Sequence, residues 1–400
     1  MKFIVNGKLV FPDEIREGVL LLDGGRIIAA GDVSVPASAD VIDAKGLYVG
    51  PGLLDQHVHG YHQHGEGYDI IDSCRKVAES HLKHGVTSVT PSPSYSLRMD
   101  RYLSIISQCN EAIKEGGTSI AGIHLEGPYI NHRLGAGRKY AWRYSDEAFR
   151  ALFTAGGKNI LHCTYAPEMP FAVEVENMIR SYGVTADIGH TEAGPADILR
   201  AVEKGAKIVT HLFDATGNCH GIHSADLTGD AMDGVSQVVL GIPDLYYEII
   251  SDSCGIHASA AAQRLAWRCG GADHIILVSD CTYHKRADEE PEGYGHPIVG
   301  HEELKEHPED VNINREGRLF GSRITVAEGA KNFKKAVNAD VRETFRCAST
   351  NSAEALGISG KVGSILPGRK ADIIFTDEDF DIKRIFFEGE EINEVRHFSL

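Results

Sequence analysis

The sequence lacks paired-cysteine motifs, long apolar runs and an excess of basic charge, and each absence removes a class of protein. Its eight cysteines (Cys74, Cys109, Cys163, Cys219, Cys254, Cys269, Cys281, Cys347) show no CxxC spacing and sit mostly among apolar or small residues, which suits reduced thiols filling a core. No apolar stretch reaches the roughly 18 residues needed to span a bilayer. The opening MKFIVNGKLVFPDE turns polar too soon for a signal peptide, so a cytoplasmic address with no membrane partner is expected. With 57 Asp and Glu against 40 Lys and Arg, the net charge of −17 repels nucleic acid and anionic membranes, although a small anion in a local basic pocket stays open. What is present is 400 residues, 42% hydrophobic and 24% charged, enough to bury one large core or two modest ones without staples.

Short β-type runs open the chain, FIVNGKLV, GVLLLDGGRIIAAG and ADVIDAKGLYV, each bounded by Gly or Asn-Gly and read as hairpins. The same texture returns at the end, in GSILPGRKADIIFTDEDFDIKRIFFEGEEI, so both ends are expected to pair into one small sheet domain. Between them, eight apolar strand candidates alternate with helical stretches: LYVGPGLLDQHVH, VTSVTPS, SIAGIHLEGP, NILHCTYAPE, GVTADIGH, AKIVTHLF, LYYEIISD and DHIILVSD. The intervening IDSCRKVAESHLKHG, MDRYLSIISQCNEAIKEG and PFAVEVENMIRSYG have helical length and end at Gly. The fold expected is α/β: a (β/α)8 barrel.

Polar residues fall at the C-terminal ends of six of these strands: His57 and His59, Glu126, His190, His211, Asp252 and Asp280. In a barrel those ends converge on one face, where the βα loops build the active site. Residues two apart in a strand point the same way, so His57 and His59 both aim inward while Val58 packs outward. His62 and His64, in the loop HGYHQHGEG, read as surface or pocket-rim histidines. Singly, each strand-end residue reads equally well as a satisfied core group; together, neutral imidazoles and carboxylates suit Zn²⁺, Fe²⁺ or Mn²⁺, and a carboxylate can bridge two ions.

In this order PGLLDQHVHG, HLEGPYI, DIGHTEA, THLFDA, GIH and LVSD resemble the amidohydrolase superfamily, and most closely its N-acetylglucosamine-6-phosphate deacetylases. The resemblance runs from VNGKLV to NSAEALG and KVGSILPGRKADIIF. It implies a metal-dependent hydrolase with a (β/α)8 barrel over 51–355, a small β-sandwich from 1–50 and 356–400, and a homodimer. It implies metal ligands at Glu126, His190 and His211, with His57 and His59 as the pair some members use for a second ion. Asp280 matches the catalytic aspartate, which takes a proton from water and hands it to the leaving amine, and His257 matches a histidine that reaches the substrate.

Three departures fall where the substrate would lie. Asp214 and Thr216 replace the family's asparagine and methionine around Ala215. GNCHGIHSADLTG, with Ile222, stands where an arginine usually meets the phosphate. Gly135, Ala136 and Gly137 replace a Gly-Ala-His or Gly-Ala-Gln. A hydrogen bond to a charged group contributes about 1.5 to 3 kcal/mol, so one lost arginine costs roughly 10- to 100-fold. Arg133, Arg138, Lys139 and Arg143 in RLGAGRKYAWR, with His220 or His223, offer replacement donors, or a solvated loop. The acidic segment 284–318 is expected as a hairpin and rim before LFGSRITVAEGAKNF resumes as a helix. The leading expectation is a deacetylase of an N-acetylated amino sugar, phosphorylated or not. A second keeps the metal site but takes an N-acyl amino acid, dipeptide or cyclic amide, and a third is a non-catalytic scaffold that retains the barrel.

Overall fold

A computed structural model describes residues 1–63, 66–135, 142–217, 234–283, 310–313 and 319–392. The chain opens with β1 (Lys2–Val10), β2 (Ile15–Asp23), β3 (Arg26–Gly31), β4 (Asp40–Asp43) and β5 (Tyr48–Pro51). It continues through β6 (Leu53–Val58), β7 (Gly60–Gln63), β8 (Glu66–Asp69), α1 (Ile70–Leu82), β9 (Val86–Pro91), α2 (Met99–Glu115) and β10 (Ile123–Glu126). Then come α3 (Asp146–Gly156), β11 (Ile160–Tyr165), α4 (Ala172–Ser181), β12 (Thr185–Ile188), α5 (Pro195–Glu203) and β13 (Ala206–Val209). Next are α6 (Val235–Leu240), β14 (Tyr246–Ile249), α7 (Ala260–Gly270), β15 (Ile275–Leu277), β16 (Val311–Ile313) and β17 (Leu319–Ser322). The chain ends with α8 (Val326–Val337), α9 (Val341–Phe345), α10 (Asn351–Ala355), β18 (Ile373–Thr376), β19 (Ile382–Phe387) and β20 (Glu390–Glu391).

All eight strand segments expected to carry the site are present, and they run parallel. β10 to β15 form one sheet in chain order, and β6 pairs with β9. Parallel bridges join the two sets at either side, Val89 to Ile120 and Val58 to Cys281, so the sheet curls until its last strand returns beside its first. The outward residues of these strands, among them Val58, Ile123, Cys163, Tyr247 and Ile249, pack with the buried faces of the helices in one large core. Leu54, Ile208, Ile250, Ile276 and Val278 form a separate apolar cluster with Ile324.

Both chain ends do pair into one sheet, in the order β20-β19-β18-β5-β1-β2-β3, with β4 on β1. Its own core includes Ile4, Leu9, Leu20, Val49, Ile373 and Phe375. Three local expectations are corrected. ADVIDAKGLYV is not a hairpin, because β4 and β5 both pair parallel with β1. FIVNGKLV is not a hairpin but a single strand, because the register shift between Ile4 and Gly7 absorbs Asn6, at φ 55°, as a bulge that keeps both halves paired to β2. HGYHQ is not an open loop, since β7 pairs antiparallel with β8. Of the acidic segment 284–318, Asp310 and β16 are described, β16 pairing antiparallel with β17 just beyond it, and the rest lies outside the described residues. Among the described residues no helix is long and apolar enough to cross a membrane, and all seven described cysteines are free, five of them buried.

Candidate metal centre

The site residues sit where the parallel strands give out. His57 lies in β6 and Glu126 ends β10, whereas His190, His211 and Asp280 follow the last residues of β12, β13 and β15 by two or three positions. These last three adopt left-handed backbone conformations, with φ 46°, 29° and 47°, which non-glycine residues rarely take. The turn redirects each side chain from the sheet surface toward the axis of the curl. Neighbouring segments hold two of the turns: the Asp280 N–H donates to the His57 carbonyl at 2.9 Å, and Asn131 N–H, in the loop after β10, donates to the His190 carbonyl at 3.0 Å.

Four imidazoles present Nε2 to Glu126. His190 Nε2 lies 2.9 Å from Oε1, His57 Nε2 3.5 Å and His211 Nε2 3.6 Å from the same oxygen, and His59 Nε2 3.5 Å from Oε2. Within the cluster, Nε2 of His57 and His59 are 3.2 Å apart, and Nε2 of His190 and His211 3.0 Å. Three of the rings have an acceptor on the far side. Nδ1 of His57 faces Glu248 Oε2 at 3.3 Å, that of His59 the Ser92 carbonyl at 2.5 Å, and that of His211 the Asp214 carbonyl at 3.1 Å. An acceptor there fixes the proton on Nδ1 and turns the Nε2 lone pair inward. Lone pairs cannot face each other at about 3 Å without a proton or a cation between them, so this donor set fits a divalent ion.

The electrostatics agree. Burial opposes charge on His57, yet Asp280, Glu126 and Glu248 raise it well above its ordinary value. Burial also opposes charge on His211, but the Glu126 contact and the Asp214 charge raise it to about 9. Glu126, against its burial, is held well below the usual carboxylate range by His59, His190, His211 and His57. The centre therefore draws positive charge. Of the four groups among the described residues that could hold an ion, two share Glu126: His57 with His59 and Glu126, and Glu126 with His190 and His211, the ligand atoms within each group lying within 4.8 Å of one another.

Asp280 stands beside them, Oδ1 3.1 Å from His59 Nε2 and 3.7 Å from His57 Nε2, and these imidazoles hold it below its ordinary value although burial pushes the other way. His257 anchors Nδ1 on Asp252 at 3.0 Å, which also accepts the main-chain N–H groups of Ile256 and His257. His257 Nε2 is buried without a partner, and His257 groups with Asp214 and Asp280. Ala215, at φ 47°, accepts the Thr191 N–H and ties the loop after β13 to the one after β12. Arg138, His220, Gly137, Ile222 and His64 lie outside the described residues. Arg133 pairs with Glu192 at 3.2 Å, and the His62 ring packs edge-on against Tyr283.

Sequence reasoning missed a second buried layer. His124 and His162 stack at 4.0 Å, and their nitrogens face Ser92, Thr164, Asp187 and Thr90, so this group, which could also hold an ion, already has its ring nitrogens bonded. Glu248, fully buried, was missed as well; its one signal is its inward position between Tyr247 and Ile249, which both join the outer core.

Known proteins resemble this chain over most of its length. The Amidohydrolase family model matches residues 309–397. The N-acetylglucosamine-6-phosphate deacetylase of Vibrio furnissii is 26% identical over 383 residues, covering 94% of this chain and 90% of that protein. The Bos taurus protein of the same name is 28% identical over 369 residues, covering 88% and 85%. Among solved structures, the Pasteurella multocida N-acetylglucosamine-6-phosphate deacetylase superposes with a TM-score of 0.81 at 23% identity, over 98% of this chain and 99% of that one. A mutant of the Mycobacterium smegmatis enzyme in complex with N-acetyl-D-glucosamine-6-phosphate superposes with a TM-score of 0.77 at 23% identity, over 98% of each chain. The resemblance carried by the motifs is borne out.

Proposed function

We propose that this chain is a metal-dependent amidohydrolase that removes the acetyl group of an N-acetylated amino sugar, with N-acetylglucosamine 6-phosphate as its reference substrate. The observation that carries the reading is the convergence of four Nε2 atoms on Glu126 with Asp280 beside them. In the same reading the curled sheet closes as a (β/α)8 barrel over 51–355, the sheet of both chain ends forms a β-sandwich domain from 1–50 and 356–400, and two copies form a cytoplasmic homodimer.

His57, His59, Glu126, His190 and His211 would hold one or two divalent ions, zinc by preference for imidazole and carboxylate donors. A divalent ion there lowers the pKa of a water to about 7 and polarises the amide carbonyl. Asp280, kept ionised by His57 and His59, accepts the proton of the attacking water and returns it to the departing nitrogen. The free Nε2 of His257, its ring set by Asp252, faces the acyl sugar. Asp214 and Ala215 line the sugar side, with Arg138 and His220 as further contacts.

A second substrate reading has its own observation. From Ile208 to Gln263 the sequence contains no Lys or Arg, while Asp214, Asp226, Asp230, Asp233, Asp244, Glu248 and Asp252 lie in that stretch. The segments after β13 and β14 thus offer a phosphate no permanent cation, which favours a sugar without phosphate or another N-acyl substrate. Acetate release by the zinc-, iron- or manganese-loaded protein from N-acetylglucosamine 6-phosphate and N-acetylgalactosamine 6-phosphate, beside the unphosphorylated sugars, separates the readings. Release from a phosphosugar assigns the phosphate contact to the basic loop at Arg138. Silence on all four sugars with activity on N-acyl amino acids overturns the deacetylase reading, and failure to bind any divalent ion overturns catalysis altogether.

A further inference from the structure

We propose that Glu248 is a positioning residue of the metal centre: its carboxylate orients the His57 ring and the His211 turn together, and its charge strengthens cation binding on the His57 side. This rests on the reading above that these histidines hold a divalent ion.

Glu248 is an inward residue of β14 with no exposed surface, and a carboxylate in such a place is costly unless fully bonded. Its bonds go to the groups that frame the centre. Oε1 accepts from Gln56 Nε2 at 2.7 Å, beside His57 on β6. Oε2 faces His57 Nδ1 at 3.3 Å and accepts the main-chain N–H of His211 at 3.2 Å. The Glu248 carbonyl accepts the Leu212 N–H at 2.7 Å, so this one residue also holds the turn in which His211 takes φ 29°. The His57 ring stands between the carboxylate and the shared centre: Nδ1 faces Glu248 and Nε2 faces Glu126. Glu248 therefore acts through His57 rather than as a ligand. A carboxylate on the outer nitrogen fixes the tautomer, orients the ring and makes Nε2 a stronger donor, and loss of such a partner typically weakens metal binding about 10- to 100-fold.

Glu248→Gln separates charge from packing. The amide oxygen can still accept from His57 and His211. Gln56, whose Oε1 has no partner, can turn its own amide to accept from the new NH₂ group. In zinc titrations of the full-length apoprotein against a chromophoric chelator at fixed pH, Glu248→Gln is expected to lose about 10- to 100-fold in affinity for at least one ion. Its apoprotein melting temperature should stay at the wild-type value, and the cobalt-substituted absorption spectrum should change. Wild-type zinc affinity in the variant overturns the proposal and leaves the metal reading intact. A lower melting temperature with unchanged affinity also overturns it, as a purely structural role. If wild-type protein binds no divalent ion, both fall. Glu248→Asp, which keeps the charge but withdraws it by one methylene, reads the same quantities should Glu248→Gln not fold; affinity equal to wild type there overturns the positioning claim.

Discussion

Replacing Asp280 by Asn tests the chemistry with little disturbance of the structure. Its Oδ1 lies 3.1 Å from His59 Nε2 and 3.7 Å from His57 Nε2, and its main-chain N–H donates to the His57 carbonyl at 2.9 Å. Asn has the same outline, keeps the main-chain bond and tolerates the φ of 47° found there. What it loses is the capacity to take a proton. General acid and base action is worth about 10²- to 10⁴-fold, so kcat should fall by that factor, about 3 to 5.5 kcal/mol in activation free energy. Neither group of metal-competent side chains around Glu126 includes Asp280, so most bound metal should remain. Saturating-substrate acetate release, with metal content measured by atomic emission on the same sample, reads both quantities. Turnover within about tenfold of wild type, below the range expected for a lost acid and base, refutes the assignment of the proton to Asp280. Parallel loss of metal and activity makes Asp280 a ligand instead.

Gly189→Ala would place a methyl 2.6 Å from Thr210 Cβ and 2.8 Å from Thr164 Cγ2, immediately before His190, so about 1 to 3 kcal/mol of stability and part of the metal affinity should go; an unchanged melting temperature and zinc affinity would refute this. Burial raises the Asp372 carboxyl to about 6 against an ordinary 3.8, so between roughly pH 4 and 6 the folded protein keeps a proton that the unfolded chain releases, and stability falls as pH rises through that window. Asp372→Asn should flatten denaturant-derived stability across that window, removing a slope worth at most about 3 kcal/mol, and a wild-type slope would remove Asp372 from the account. Asp214→Asn, which in the proposed reading takes a carboxylate from the sugar side, should shift kcat/KM toward phosphorylated over unphosphorylated sugars by roughly tenfold, and no shift would place the phosphate elsewhere.

The parallel strand segments, their order and the residues at their ends were legible because a buried parallel strand is an apolar run and a polar residue closing it stands out: IGH, THLF and LVSD each announce one. Period-2 alternation even oriented His57 against Val58. What meets a side chain across the curl was not legible, because it depends on pairings distant in sequence. Glu248 looks like an interruption of YYEII until β6 and β13 bring Gln56, His57 and His211 around it. The same limit hid the stacked pair of His124 and His162, which β10 and β11 bring side by side. Asn6-Gly7 misled for a different reason: the dipeptide favours positive φ, and a bulge satisfies that preference as well as a turn does.

Five of the residues with left-handed backbone lie where the electrostatics of this molecule are least favourable. His190, His211 and Asp280 carry left-handed φ values, as do Phe213 and Ala215 in the loop that follows His211. Each such conformation costs of order 1 to 3 kcal/mol and persists only where surrounding structure leaves no alternative. Here that structure is a parallel sheet whose ladder bonds stop just before each kink, with Ile188, Val209 and Leu277 as the last strand residues. The kinks bring together imidazole nitrogens about 3 Å apart around one carboxylate, an arrangement that repels itself when empty of positive charge. Folding thus brings together groups that gain most when a cation joins them. At His190, His211 and Asp280 the left-handed backbone is accordingly better explained by metal binding than by the needs of the fold, which would be satisfied by apolar residues in relaxed turns at the same positions.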